Sequence, residues 1–386
     1  MKRQQNSFLS TLKQLDFILI AAVLALTVFG IICVSTATAY RGTNRNVMVQ
    51  LFGAVLGFAS MIVLSLIDYD LLLKKLWIPI FIFGLALLTL PIIESVPAML
   101  RGSFGTNKNW ITLPIINVDF QPSEMVKLTF ILSFGYLLGK LKDDTNRLKS
   151  VLLILLFSGT TILFVMLEKD LGAAVVFIII FVVMWFVAKM SLWYLAGGVA
   201  TFAIAAPFLW GLLEDYQKKR ILVGFDPWSD PTDKGYQVIQ TIKAMQNGGV
   251  FGMGYGNGTL THAAAKSVWP ARETDMIFGV IGEEFGFIGA VIYIALITVV
   301  IIRIIRTARL ARHEYGSYIC AGIAAIFIFQ TIENIGMCLG VLPVIGLTLP
   351  FISYGGSAIL SMYLCIGIVM SIRTHKSKYY FERDVI

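Results

Sequence analysis

The chain has 386 residues, of which 57% are hydrophobic and only 14% charged, with a formal net charge of +8 and a mean hydropathy of +0.80. A soluble domain is about 45–50% apolar and about 25% charged, so this composition leaves too little polar surface for one, and its wealth of apolar residues excludes disorder. No block of lysines and arginines of the kind that tracks nucleic acid is present. Long uncharged runs instead point to an all-α integral membrane protein, a single polytopic unit over 1–386.

In chain order the apolar runs predict ten transmembrane helices, at about 17–36, 47–67, 76–94, 123–139, 150–167, 171–188, 192–213, 276–302, 316–340 and 348–372. The first follows a Lys-containing tail like a signal sequence. Its apolar stretch is too long for a signal core, so it reads as an uncleaved span. The runs opening at Ser123 and Leu171 are short and have charges nearby, which predicts helices enclosed by others. With the N-terminus in the cytoplasm, 18 of the 31 lysines and arginines fall on the inner side and 12 on the outer, with Lys127 inside a span. An even number of spans then places both termini in the cytoplasm.

Two connections, about 95–122 and 214–274, are long and extracytoplasmic on this reading; the second joins spans 7 and 8. Loops of such length without structure of their own are uncommon unless functional. In the second, Val238, Ile239, Ile242 and Met245 recur at helical spacing before Gly248-Gly249, which predicts an amphipathic helix at the membrane surface. Gly252, Gly254, Gly256 and Gly258 alternate too densely for a helix. They lack the surrounding βαβ unit of a dinucleotide fingerprint.

Ionisable residues at membrane depth are the sites to weigh, because burying them costs free energy. Glu124 and Lys127 share one helix face, either as a self-neutralising pair or as site residues. Glu168, Lys169 and Asp170 form a turn in which Asp170 can cap the next helix. Gln330, Glu333 and Asn334 line one face of the ninth span, where polar residues also glue helices together. Lys219 and Arg220 stand where the long loop leaves the membrane, and rim anchoring is their plain role. Asp275 opens the eighth span, as a cap or as a reactive carboxylate, with Glu283 and Glu284 two turns on. The polar, Gly-rich stretch from Pro350 to Ser357, with Ser353 and Tyr354, breaks the tenth span as backbone does when it lines a cavity. Cys33, Cys320, Cys338 and Cys365 sit in apolar runs and His262, His313 and His375 are scattered, so no disulfide or zinc framework is visible.

At these residues the sequence resembles the SEDS family, the RodA/FtsW/SpoVE proteins of bacterial cell-wall synthesis, over essentially its whole length. The likeness rests on Gln121-Pro122-Ser123-Glu124 with Lys127, Asp170-Leu171-Gly172, Phe225-Asp226-Pro227-Trp228, Gly235-Tyr236-Gln237, Gly248-Gly249 with Gly252 and Gly254, Thr274-Asp275 with Ile277-Phe278, Glu283-Glu284-Phe285-Gly286, Asn334-Ile335-Gly336, Leu342-Pro343 and 349–357. It implies ten spans in the bacterial cytoplasmic membrane and a peptidoglycan glycosyltransferase that polymerises lipid II, beside a class B penicillin-binding protein that crosslinks the product. The family's essential aspartate falls on Asp275. Trp110, Gln237, Ser353 and Tyr354 enter as substrate-binding candidates with Glu124, Lys127, Asp170, Arg220 and Arg272. Glu273, Ala271, Met276, Asn109 and Lys169 depart from the family pattern. Asn334 to Met337 and Asp226 to Pro231 look more like RodA than FtsW.

The implied chemistry asks for one base to take the proton of an acceptor hydroxyl and for positive charge on a leaving pyrophosphate. Asp275 suits the first task, and Lys127, Lys169, Arg220 or Arg272 the second. No cofactor is evident. A divalent cation such as Mg can share the pyrophosphate, although no dedicated cage is visible. The rival functions are a lipid II flippase, which needs cationic patches at both leaflets and a polar path between them, and a non-catalytic scaffold for the crosslinking partner.

Overall fold

The computed structural model describes residues 14–92, 109–113, 118–232, 234–263 and 268–375. It is a bundle of α-helices: α1 (Phe17–Ala37), α2 (Arg45–Leu66), α3 (Tyr69–Thr89), α4 (Pro122–Lys140), α5 (Leu148–Leu167), α6 (Leu171–Val187), α7 (Leu192–Leu212), α8 (Asp215–Phe225), α9 (Lys234–Gly248), α10 (Ile277–Leu310), α11 (Glu314–Cys338) and α12 (Gly356–Thr374). Seven of them (α1, α2, α3, α5, α10, α11 and α12) are long and apolar enough to cross a membrane. The apolar stretches of α6 and α7 are shorter. With α4, whose polar first turn lowers its hydropathy, they make up the ten expected spans.

Local sequence explains most ends. Asp16 caps α1 by accepting from the Leu19 amide at 3.2 Å, and Asp170 caps α6 by accepting from the Ala173 amide at 2.9 Å. Pro122 stands in the first turn of α4, where its missing N–H costs nothing. The enclosed helices are α4, α11 and α12, whose residues are mostly buried. α7 has no buried residue among those described, and Trp193, Ile204 and Phe208 are open to the surroundings. It stands at the rim of the bundle.

The structure departs from the sequence reading in four places. α3 starts at Tyr69, several residues before the expected 76, because Asp68 caps it and Lys74 pairs with Asp70 on its surface at 2.7 Å. The last helix starts at Gly356 rather than 348, and 341–355 is non-helical connection. The first long loop contains a small antiparallel hairpin, Ile111–Leu113 with Val118–Phe120. The second carries α8 as well as the expected amphipathic helix α9.

α9 packs on the first part of α10. The Trp269 indole donates to the Thr241 hydroxyl at 3.0 Å, and Val238, Thr241 and Ala244 are buried. α10 is two helices in line, broken at Gly286 (φ 65°, ψ −162°). The backbone groups freed by the break are taken up by the Gly-rich loop after α9. The amides of Met253 and Gly254 donate to Glu283 O (2.9 Å) and Glu284 O (3.0 Å), and Phe287 and Ile288 donate to Gly249 O (2.9 Å) and Val250 O (3.2 Å). The dense glycines have this physical reason: a Cβ on Gly252 would lie 2.2 Å from Glu284 O, and one on Gly248 1.8 Å from Gly282 O.

Candidate active site

Asp275 lies in a turn just before α10, half-buried. Ala271 starts the turn at φ 58° and its carbonyl accepts from the amides of Thr274 (3.1 Å) and Met276 (3.0 Å). Two distant elements hold the turn. From α11, the fully buried Asn334 amide donates to Asp275 O (2.8 Å) and to Leu347 O (2.7 Å). From the connection before α12, the Ser353 hydroxyl donates to Thr274 O (2.7 Å) and accepts from the Leu349 amide (2.8 Å), and the Tyr354 amide donates to Glu273 O (2.9 Å). The same connection passes under the carboxylate at Gly346 (φ 78°), where a Cβ would stand 3.3 Å from Asp275 Oδ2. The polar break in the tenth run is therefore the clamp on the turn that bears Asp275.

A buried glutamine missed in the sequence reading holds the clamp itself. Gln50 of α2 donates to Ser353 O at 3.1 Å and accepts from the Gly355 amide at 3.0 Å. A glutamine inside an otherwise apolar span was the available signal. Arg41, after α1, was also missed. It pairs with Glu273, whose side chain is almost wholly buried. That pair holds the Arg41 guanidinium above its ordinary pKa, the partial burial that opposes the shift being outweighed by Glu273.

Arg272 has a different place from the one expected. It is fully buried, and its guanidinium donates to Ala37 O (3.2 Å), Leu260 O (3.1 Å) and Ala263 O (3.0 Å), with Tyr40 stacked against it at 4.0 Å. Burial lowers its pKa despite the neighbouring Tyr40 and Glu273. Its donors join the end of α1 to two loop carbonyls, so it braces the site instead of offering a cation to an anionic ligand. Glu283 braces it from the other side, accepting from the amides of Leu260 (2.9 Å) and Thr261 (2.7 Å) and from the Thr261 hydroxyl (2.6 Å). Glu284 meets His262 at 3.0 Å.

The remaining candidates are spread around this centre. Asp170 caps α6 and accepts from Asn109 (3.0 Å) and Gln121 (2.9 Å), which ties the first long loop to α4 and α6. Glu124 and Lys127 pair at 2.8 Å inside the bundle, and the Glu124 carbonyl accepts from Ser361 of α12 at 2.7 Å. Trp110 is half-buried beside the hairpin, and Gln237 is half-buried on α9. Arg220 lies on α8. Lys169 (φ 61°) extends to Glu214 at 2.7 Å on the surface. Glu333 is buried one residue before Asn334 and interacts electrostatically with Asp275. Among the described residues no three His, Cys, Asp or Glu side chains converge as a metal cage.

Residues 13–378 match the family model FTSW_RODA_SPOVE, described as Cell cycle protein. The chain belongs to this family. A Geobacter sulfurreducens relative, named as a probable peptidoglycan glycosyltransferase FtsW, is 33% identical over 94% of this chain and 96% of its own. The peptidoglycan glycosyltransferase MrdB of Escherichia coli is 32% identical over 94% of both. Such near-equal identities do not separate the FtsW and RodA branches of the family. Among solved structures, a chain of a peptidoglycan synthase complex, described as coordinating polymerization and crosslinking, superposes with a TM-score of 0.77 at 26% identity, over 94% of this chain and 99% of that one. A mutant of the Thermus thermophilus rod shape determining protein RodA superposes with a TM-score of 0.68 at 23% identity, over 94% and 99%, and shares the fold.

Proposed function

We propose that this chain is an inverting peptidoglycan glycosyltransferase that polymerises lipid II at the outer face of the bacterial cytoplasmic membrane, with both termini inside and a class B penicillin-binding protein as partner. The observation that carries the reading is the clamped turn: Asn334, Ser353 and Tyr354 fix the backbone on both sides of a half-buried Asp275. A base must be held within ~3 Å of the proton it removes, and two distant elements converge to hold this one.

In the step, Asp275 takes the proton of the acceptor's 4-hydroxyl. The oxygen bonds to the donor's anomeric carbon from the side opposite the pyrophosphate, the bond to pyrophosphate breaks, and the configuration inverts from α to β. The proton stays on Asp275 until solvent removes it, and pyrophosphate departs on the undecaprenyl lipid as a stable anion. A single carboxylate suffices, unlike the pair used to hydrolyse glycosides. Lys169, in the turn before α6, and Arg220, on α8, are the cations assigned to the pyrophosphate, with Lys127 deeper in the bundle. Arg272 is withdrawn from that group, because its guanidinium is spent on backbone carbonyls.

The test is polymerisation of purified lipid II by purified protein. Asp275→Asn keeps the shape and the backbone bonds yet cannot accept a proton, so polymerisation is expected to fall ~10²-fold or more. Asp275→Glu, which displaces the carboxylate by a methylene, is expected to be badly impaired too. A folded Asp275→Asn protein that polymerises at near wild-type rate overturns the assignment of the base and makes Glu283 or Glu284 the next candidate.

A further inference from the structure

At the end of the bundle opposite Asp275 lies a small basic pocket that the proposed reaction does not use. α10 starts next to Asp275, and its part beyond the break at Gly286 runs to Leu310, about 36 Å of helix. There the α10–α11 connection meets the start of α3 and the end of α4. The pocket has a volume of about 150 Å3 and is lined by Lys74, Tyr136, Gly139, Lys140, His313 and Tyr315. Gly139 lets Tyr315 close one wall, since a Cβ there would lie 2.8 Å from that of Tyr315.

The charges in the pocket are unequally satisfied. Asp70, the one carboxylate at its base, is shared by Lys74 (2.7 Å), the Tyr315 hydroxyl and His313 (3.6 Å). Glu314, just beyond, is 3.9 Å from Lys142. Lys140 is different. Its ammonium lies 5.0 Å from the Trp77 ring centre and 5.2 Å from that of Tyr136, and it has no carboxylate partner among the described residues. Two aromatic faces hold this cation in place without neutralising it. With Lys74 beside it and Asp70 shared among its neighbours, the pocket carries two lysines against one carboxylate.

The pocket also borders lipid. Leu71, Lys74, Lys75 and Ile78 recur at helical spacing on one face of α3, and Leu71 and Ile78 are exposed. α3 is the least enclosed of the seven long apolar helices. Lys74 thus stands where a lipid-facing surface ends, and an anion delivered there can carry its acyl chains down α3. A cavity of this size has room for a phosphate diester.

We propose that this pocket binds the phosphate of an anionic phospholipid from the leaflet opposite the one that Asp275 faces. The test is native mass spectrometry of the purified full chain, released from micelles doped with phosphatidylglycerol or phosphatidylcholine. Phosphatidylglycerol is expected to be retained preferentially. Lys140→Gln is expected to lower that retention about fivefold, the weight of one cation at a membrane surface. Lys75→Gln, on the same helix but outside the pocket, should lower it much less than Lys140→Gln does, and excess inorganic phosphate should not displace the lipid. Equal retention of the two lipids overturns the proposal. So does an equal effect of Lys75→Gln and Lys140→Gln, which means diffuse surface charge. Displacement by inorganic phosphate overturns the lipid assignment in favour of a soluble anion. If Lys140→Gln fails to fold, as judged by its melting temperature, Lys74→Gln is read against Lys75→Gln in its place.

Discussion

Glu124 and Lys127 stand three residues apart on α4 and meet at 2.8 Å, with both side chains nearly sealed from solvent. Removing either partner strands a buried charge, at about 3–5 kcal/mol. Glu124→Gln and Lys127→Met are therefore each expected to lower stability or activity, while the double variant does less harm than the sum of the two. A thermal-unfolding double-mutant cycle measures the coupling, and strict additivity means that the pair is not coupled. Glu168 gives a second test, through pH. It lies outside the spans, in the turn after α5, with both carboxylate oxygens buried and no hydrogen-bond partner among the described residues. Burial, with the charge of Asp170 adding to it, pushes its pKa up to about 9. The folded chain thus binds this proton more tightly than the unfolded chain, whose glutamate titrates near ~4.3. The contribution to stability is complete below the unfolded value and is lost as pH rises towards 9. Glu168→Gln should melt at a higher temperature than the wild type at alkaline pH, with the gap narrowing on acidification. A pH-independent difference overturns this reading. Spacing alone exposes Glu124 and Lys127 as neighbours. Nothing in the sequence distinguishes Arg272, which braces three backbone carbonyls, from Arg41, which binds Glu273, because their partners lie up to hundreds of residues away.

At the level of elements, the break at Gly286 organises the ground around Asp275. The short first part of α10 carries Glu283, which receives the loop amides of Leu260 and Thr261. The Gly-rich loop fills the hydrogen bonds left open by the break. Ala at 286 would take up a backbone conformation reserved for glycine and place its Cβ 2.3 Å from the Gly252 amide nitrogen. Gly286→Ala is expected to destabilise by about 2–4 kcal/mol and to loosen the loop from α10. Proteolysis within 249–258 reads this out, and an unchanged cleavage rate contradicts it. α9 could be read from its helical repeat of Val238, Ile239, Ile242 and Met245. The docking of its trailing glycines against another helix could not, since alternating glycines specify only where backbone can approach closely.

For the whole molecule, the excess of lysine and arginine on one side predicts that the end that bears Asp275, with the segment 214–274, lies outside. Cysteine placed at the exposed Asn257 is expected to react with an impermeant thiol reagent on intact spheroplasts. Labelling only after lysis reverses the topology, and with it the outer-face reaction. Hydropathy, which needs only local composition, determined by itself that the chain spans a membrane and about where its helices run. Short motifs in order pointed to the family and to Asp275. Only the tertiary structure decided which polar groups meet. It made Arg272 a brace, turned the break before α12 into a clamp on the Asp275 turn, and brought Gln50, Asn334 and Ser353 to one place from three elements. Burying such groups costs free energy unless they find partners, and those partners are set by how the helices pack, which no local stretch of sequence encodes.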